Sequence, residues 1–140
     1  MLRALLPATA IAAALLVLPP SAAQSQNLEP IKERKALLKE MGKATKDPGA
    51  MLKQEVPFDL AAVKAALAAY KANAPKIAKL FPDDSKTGGE TEALPAIWEN
   101  KDDVAKRFDK LVADATAAEG KITDEFSFQE EFPKVVGNCG

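Results

Sequence analysis

Apolar residues recur every three to four positions along most of this chain, and no segment alternates with period two over the length of a strand. A chain patterned in this way has amphipathic helices to work with, and each must bury its stripe against another. The clearest run is Leu60, Val63, Leu67, Tyr70, Ala74, Ile77 and Leu80, which holds the spacing over about five turns. Asp59 stands directly before it and supplies a carboxylate for the free amides of a first turn. Pro75 falls inside the run, so a kink or a break just before it is expected, and Phe81-Pro82-Asp83-Asp84 closes the element.

Three further segments carry the same pattern. From Leu28 a first helix reads Leu28, Ile31, Leu37, Leu38 and Met41, with Arg34 and several lysines on the other positions. Gly42 and Asp47-Pro48-Gly49 are expected to weaken or interrupt it, with a short helical continuation through Ala50, Met51 and Leu52. A polar connection over residues 83–94 contains Gly88-Gly89. Pro95 to Trp98 then lead into a third helix bearing Val104, Phe108, Leu111, Val112 and Ala115, with Gly120 as its terminator. A fourth begins near Thr123-Asp124 and places Phe128, Phe132, Val135 or Val136, and Cys139 on one face. Pro133 lies within it, and the helix is still running where the sequence stops. The expected fold is all-α, an antiparallel four-helix bundle whose last helix is cut short.

The first residues have the form of a secretory leader. Arg3 provides the early positive charge, Ala4 to Leu18 the apolar stretch, and Pro19-Pro20 a break before Ser21-Ala22-Ala23. Cleavage is predicted after Ala23, which makes residues 1–23 the signal peptide and residues 24–140 one exported domain with no membrane attachment after processing. The formal net charge is −1, and loss of Arg3 with the leader makes it one unit more negative. A nucleic-acid partner would require a basic face, and this balance speaks against one. A single cysteine closes no internal disulfide.

That cysteine is Cys139, in Val135-Val136-Gly137-Asn138-Cys139-Gly140, and the chain contains no histidine. Cys139-Gly140 has the form of the first half of C-x-x-C-H, the spacing by which a c-type haem is attached. Other blocks fall in a telling order. Ile31 to Lys39 carries an arginine, Arg34, four residues before an apolar residue, Leu38. Phe81-Pro82 precedes Ala93-Leu94-Pro95-Ala96-Ile97-Trp98, and Phe108 follows ten residues after the tryptophan. In this order and spacing the chain resembles cytochrome c′, the class II c-type cytochromes, over essentially all of its mature part.

The resemblance implies a periplasmic protein carrying haem c, which passes electrons to and from another periplasmic carrier or binds a diatomic gas such as NO or CO, and which is not an enzyme. It implies a homodimer as well. Cys139 would form a thioether, while the second cysteine, the proximal histidine and a following arginine would fall beyond Gly140, so no metal ligand is assigned within the chain. Arg34 would pair with a haem propionate, its forked donors suiting a carboxylate, unless it is an ordinary solvated arginine. Leu38 would lie over the distal face and, unable to ligate, leave the iron five-coordinate beneath an apolar pocket. Met41, three residues on and roughly 60° round the helix, is a weaker candidate for that side and otherwise a core residue. Trp98 would pack beside the haem or simply in the core.

Two other functions compete: a truncated, haem-free bundle with an under-packed interior, and a haem-free periplasmic binding or adaptor module. Hydrolytic chemistry is disfavoured by the lack of a histidine base, a G-x-S-x-G turn or grouped metal ligands. Asp102-Asp103 and Glu130-Glu131 read as solvated helix surface.

Overall fold

Asp59 begins the second long helix as its side chain predicts, accepting the amides of Ala61 and Ala62 at 2.8 and 3.3 Å. The computed structural model describes residues 26–139; the leader, its cleavage site after Ala23, and Gly140 lie outside them. Five helices follow in order: α1 Leu28–Leu52, α2 Leu60–Ile77, a short α3 Ala96–Glu99, α4 Lys101–Lys121 and α5 Glu125–Val136. The four long ones form the expected antiparallel bundle, and no strand occurs among the described residues.

Several local expectations give way to packing. α1 is not interrupted at residues 47–49 but runs unbroken for 25 residues through Gly42, Pro48 and Gly49. A proline inside a helix costs about 3 kcal/mol and a glycine about 1. Here Met41, Pro48 and Met51 are all buried on one side of α1, and that burial outweighs the local penalties. α2 likewise continues past Pro75 to Ile77, because only its last turn loses a bond. The third helix is split rather than continuous. Asn100 leaves helical geometry at φ −132° and ψ 43°, which separates α3 from α4. Gly120 is not the terminator: α4 runs through it to Lys121, and Ile122, extended and 1% exposed, ends the helix by dropping into the core. α5 starts with a capping box, Asp124 accepting the Ser127 amide at 2.8 Å while the Ser127 hydroxyl accepts the Asp124 amide at 3.1 Å. It does not run on to the end of the sequence. After Val136 it tightens into a 3₁₀ turn over Gly137–Cys139, and this rotates Cys139 off the Phe128–Phe132–Val135 face, leaving it exposed.

The core runs along α2, whose Val63, Leu67, Tyr70, Ala74 and Ile77 are buried in one cluster with Leu111, Ala115, Ile122, Phe128 and Phe132. Phe132 is central: its ring lies 5.1 Å from that of Phe128 and 6.4 Å from that of Tyr70. No buried side-chain polar atom lacks a partner among the described residues. Around these rings the interior is closed. Phe132→Ala is expected to destabilise the fold by about 3–5 kcal/mol, measurable as a lower urea midpoint at unchanged m-value.

Candidate functional site

The backbones of α1 and α2, of α2 and α4, and of α4 and α5 run close together, whereas α1 makes no comparable approach to α4 or α5. The seam left open is a trough made of three connected hollows. The first, of about 520 Å³, lies between Arg34, Lys35 and Leu38 of α1, Phe81, Thr91 and Ala93 of the long connection, and Ile97 of α3. The second, about 240 Å³, is bounded by Leu38 and Met41 facing Phe108 and Leu111 of α4, with Asn138 and Cys139 at its end. The third, about 670 Å³, passes from Met41 and Thr45 to Tyr70, Val136 and Cys139. Leu38 belongs to all three. It is 48% exposed, an uncovered apolar side chain in the middle of a helix whose Ile31 and Met51 are buried.

Arg34 sits at one end of the trough, only 2% exposed. Its Nη1 donates to the Leu80 carbonyl at 3.0 Å and to Ser85 Oγ at 2.9 Å; Nη2 donates to the Ser85 carbonyl at 3.0 Å and to Thr91 Oγ1 at 2.8 Å. The guanidinium carbon lies 5.0 Å from the Phe81 ring centre and 5.6 Å from that of Trp98. Every one of these acceptors is neutral, and among the described residues no carboxylate lies within ion-pair distance of Arg34. Burial pushes its pKa down from the ordinary arginine value, yet a guanidinium stays charged. The hydrogen bonds and ring faces replace the water it lost. Arg34 is thus not a solvated arginine: its Nη hydrogens are engaged, and its Nε–H carries no hydrogen bond among the described residues.

The connection is shaped to receive it. Gly88 and Gly89 adopt φ +92° and +54°, and a side-chain carbon at Gly88 would come within 2.5 Å of Gln26 Oε1. Glycine suits both positions because of the left-handed backbone, whereas the Gln26 side chain could move aside. Trp98 stands behind Phe81, edge to face at 5.7 Å, and donates Nε1–H to the Pro82 carbonyl at 2.9 Å. It does not line the trough; its neighbour Ile97 does.

At the opposite end Asn138 donates to Asp114 Oδ2 at 2.8 Å and to the carbonyls of Lys134 and Val135, fixing the 3₁₀ turn that carries Cys139. Cys139 is exposed as a residue, but protein packed around its thiol raises the pKa above the ordinary value. The Tyr70 hydroxyl is 2.6 Å from Thr45 Oγ1, which is itself 2.6 Å from the Met41 carbonyl. With Thr45 donating to that carbonyl, Tyr70 donates to Thr45. This relay joins α2 to the stretch of α1 that floors the trough. Asn138, Ser85 and the Tyr70–Thr45 pair carry no sequence signal of their own, since each is polar, isolated and defined by a partner 24 or more residues away.

Comparison with known proteins matches residues 29–140 to the family model described as Cytochrome C′. The chain belongs to the cytochrome c′ family. It is 53% identical over 109 residues to cytochrome c′ of Rhodopseudomonas palustris, covering 78% of this chain and 75% of that one. To cytochrome c-556 of Agrobacterium fabrum it is 37% identical over 113 residues, 79% of this chain and 75% of the other. The solved structure of the Rhodopseudomonas palustris cytochrome c′ superposes with a TM-score of 0.78 at 51% identity, over 81% of this chain and 90% of that one. Membership implies a covalently bound haem c, and the trough can be tested against it. Leu38, Met41, Phe108 and Leu111 offer apolar walls to a flat macrocycle, and Cys139 places one thiol at its edge, so these residues fit the porphyrin and a first thioether. The 140 residues include no imidazole for the iron.

The relay gives a pH signature. Burial is the main cause that raises the Tyr70 pKa, with Cys139 adding to it, while the Thr45 bond works the other way. Because the folded value lies above the unfolded value of about 10, its contribution is complete below pH 10 and is lost as pH rises through the folded value. Tyr70→Phe is expected to lower stability by about 1 kcal/mol at pH 7 and to flatten the decline in melting temperature above pH 10.

Proposed function

We propose that this chain is an exported c-type haem protein of the periplasm, exchanging electrons with another periplasmic carrier and admitting NO or CO to the haem. The observation that carries the reading is the open apolar trough along α1, which ends at the chain's only cysteine. Cys139 would hold the haem through a thioether, with Leu38, Met41, Phe108 and Leu111 packed on the macrocycle. Arg34 and Lys35 supply positive charge at the other end, with Glu90 and Glu92 exposed at its rim, and Arg34 acts there through its field rather than through its four committed Nη bonds. When bound, the haem supplies the one-electron couple and the site for a diatomic. The protein's part is to exclude water and to set the surroundings. Among the described residues no helix is long and apolar enough to cross a membrane. Association of two copies belongs to the same reading.

Protein isolated from its native host is expected to exceed its polypeptide mass by one haem and to give a pyridine haemochrome. Cys139→Ser should increase the haem released by acid–acetone extraction. A colourless protein of bare polypeptide mass would favour the haem-free bundle or adaptor instead.

Leu38 governs ligand entry in this reading. An apolar side chain at the junction of the hollows obstructs even a small uncharged ligand until it moves, and leucine offers no atom that could ligate. Leu38→Ala is expected to speed CO binding to the reduced protein by about tenfold, equivalent to a barrier lower by about 1.4 kcal/mol, as followed by flash photolysis.

A further inference from the structure

We propose that Arg34 is a fixed, buried source of positive potential that raises the reduction potential of the haem in the trough; this rests on the function proposed above. Three observations carry it. The guanidinium is 2% exposed and lines the first hollow of the trough. Its hydrogen-bond partners, Leu80, Ser85 and Thr91, are all neutral, so its charge is solvated but not cancelled. The rings of Phe81 and Trp98 keep water from it on two sides.

The other charges on that hollow are of a different kind. Lys35, Glu90 and Glu92 also line it, but all three are exposed. Water and salt screen exposed charges strongly and buried ones much less. The net field along the trough is therefore set by Arg34, despite the two carboxylates at the rim. Adding an electron to a bound haem makes it more negative by one unit, and a nearby uncompensated cation favours that form. The collar from Leu80 to Trp98 holds the charge in one place, so no reorganisation is needed when the electron arrives.

Loop anchoring and field are separable by substitution. Arg34→Lys keeps the charge and loses the fork, Arg34→Gln loses the charge, and Thr91→Asp keeps Arg34 but sets a carboxylate beside Nη2. The measurements are the pyridine haemochrome, the thermal midpoint and the potential from a redox titration of each holoprotein. The expected result is a negative shift for Arg34→Gln and Thr91→Asp, about tenfold in the reduced-to-oxidised ratio at fixed poise, or 59 mV for one electron. Arg34→Lys should stay near the wild-type potential although it melts lower. Equal potentials in all four proteins, or a shift in Arg34→Lys as large as in Arg34→Gln, would overturn the proposal and leave Arg34 as a loop anchor. Should Arg34→Gln fail to fold, Thr91→Asp decides alone, and an unshifted potential there overturns the proposal. Absence of a haemochrome from the wild-type protein would overturn the functional reading itself, and this inference with it.

Discussion

α1 packs along α2 but stands clear of α4 and α5, and the tie at its N-terminal end centres on one buried guanidinium. Arg34 replaces its hydration with four hydrogen bonds and two ring faces, all drawn from residues 80–98. Those bonds tie a long polar connection to a helix some 50 residues earlier in the chain. At the far end Pro48 and Met51 are buried, and the Gln129 amide reaches the Met51 carbonyl at 3.4 Å. Between the two anchors Leu38 and Met41 look across a gap. Arg34 is the buried part of that tie; Lys35 Nζ also donates to the Gly89 and Glu90 carbonyls at 3.2 Å, and the Asn27 amide donates to the Asp84 carbonyl at 2.9 Å.

The closed core and the open trough are two solutions to the same packing problem on one set of helices. Around Phe128 and Phe132 the bundle fills its own interior with aromatic side chains. Around Leu38 it does not, and an apolar side chain is left 48% exposed. A folded core ordinarily leaves few voids larger than a water molecule. In the function proposed above, this trough, bordered by a thiol and by positive charge, is the part of the molecule that a cofactor completes.

Much of this was legible beforehand. The helical period, the Asp59 cap and the buried positions Phe128, Phe132 and Val135 stand as the sequence pattern predicts, because each depends on neighbours within about one turn. Arg34, Leu38 and Cys139 could be picked out as a set, and the structure brings Leu38 and Cys139 to the same hollows. The misreadings share one cause. By local meaning Pro48 is a helix breaker and Gly120 a helix stop, but burial of Met51 and Ile122 decides otherwise. Trp98, whose sequence context allows a place beside the haem or simply in the core, bonds the Pro82 carbonyl through its indole N–H and backs Phe81 with its ring.

By itself, then, the sequence determined the all-helical class, the approximate limits of four amphipathic segments, the resemblance to its family and the residues that border a site. These follow from period, caps and spacing, which are properties of adjacent residues. Tertiary structure alone decided that α1 survives its proline and two glycines, that the last helix tightens to turn Cys139 outward, and that Arg34 is buried without a counter-charge. Each of those outcomes balances a local preference of at most a few kcal/mol against burial supplied by residues distant in the chain. That balance exists only once the helices are side by side.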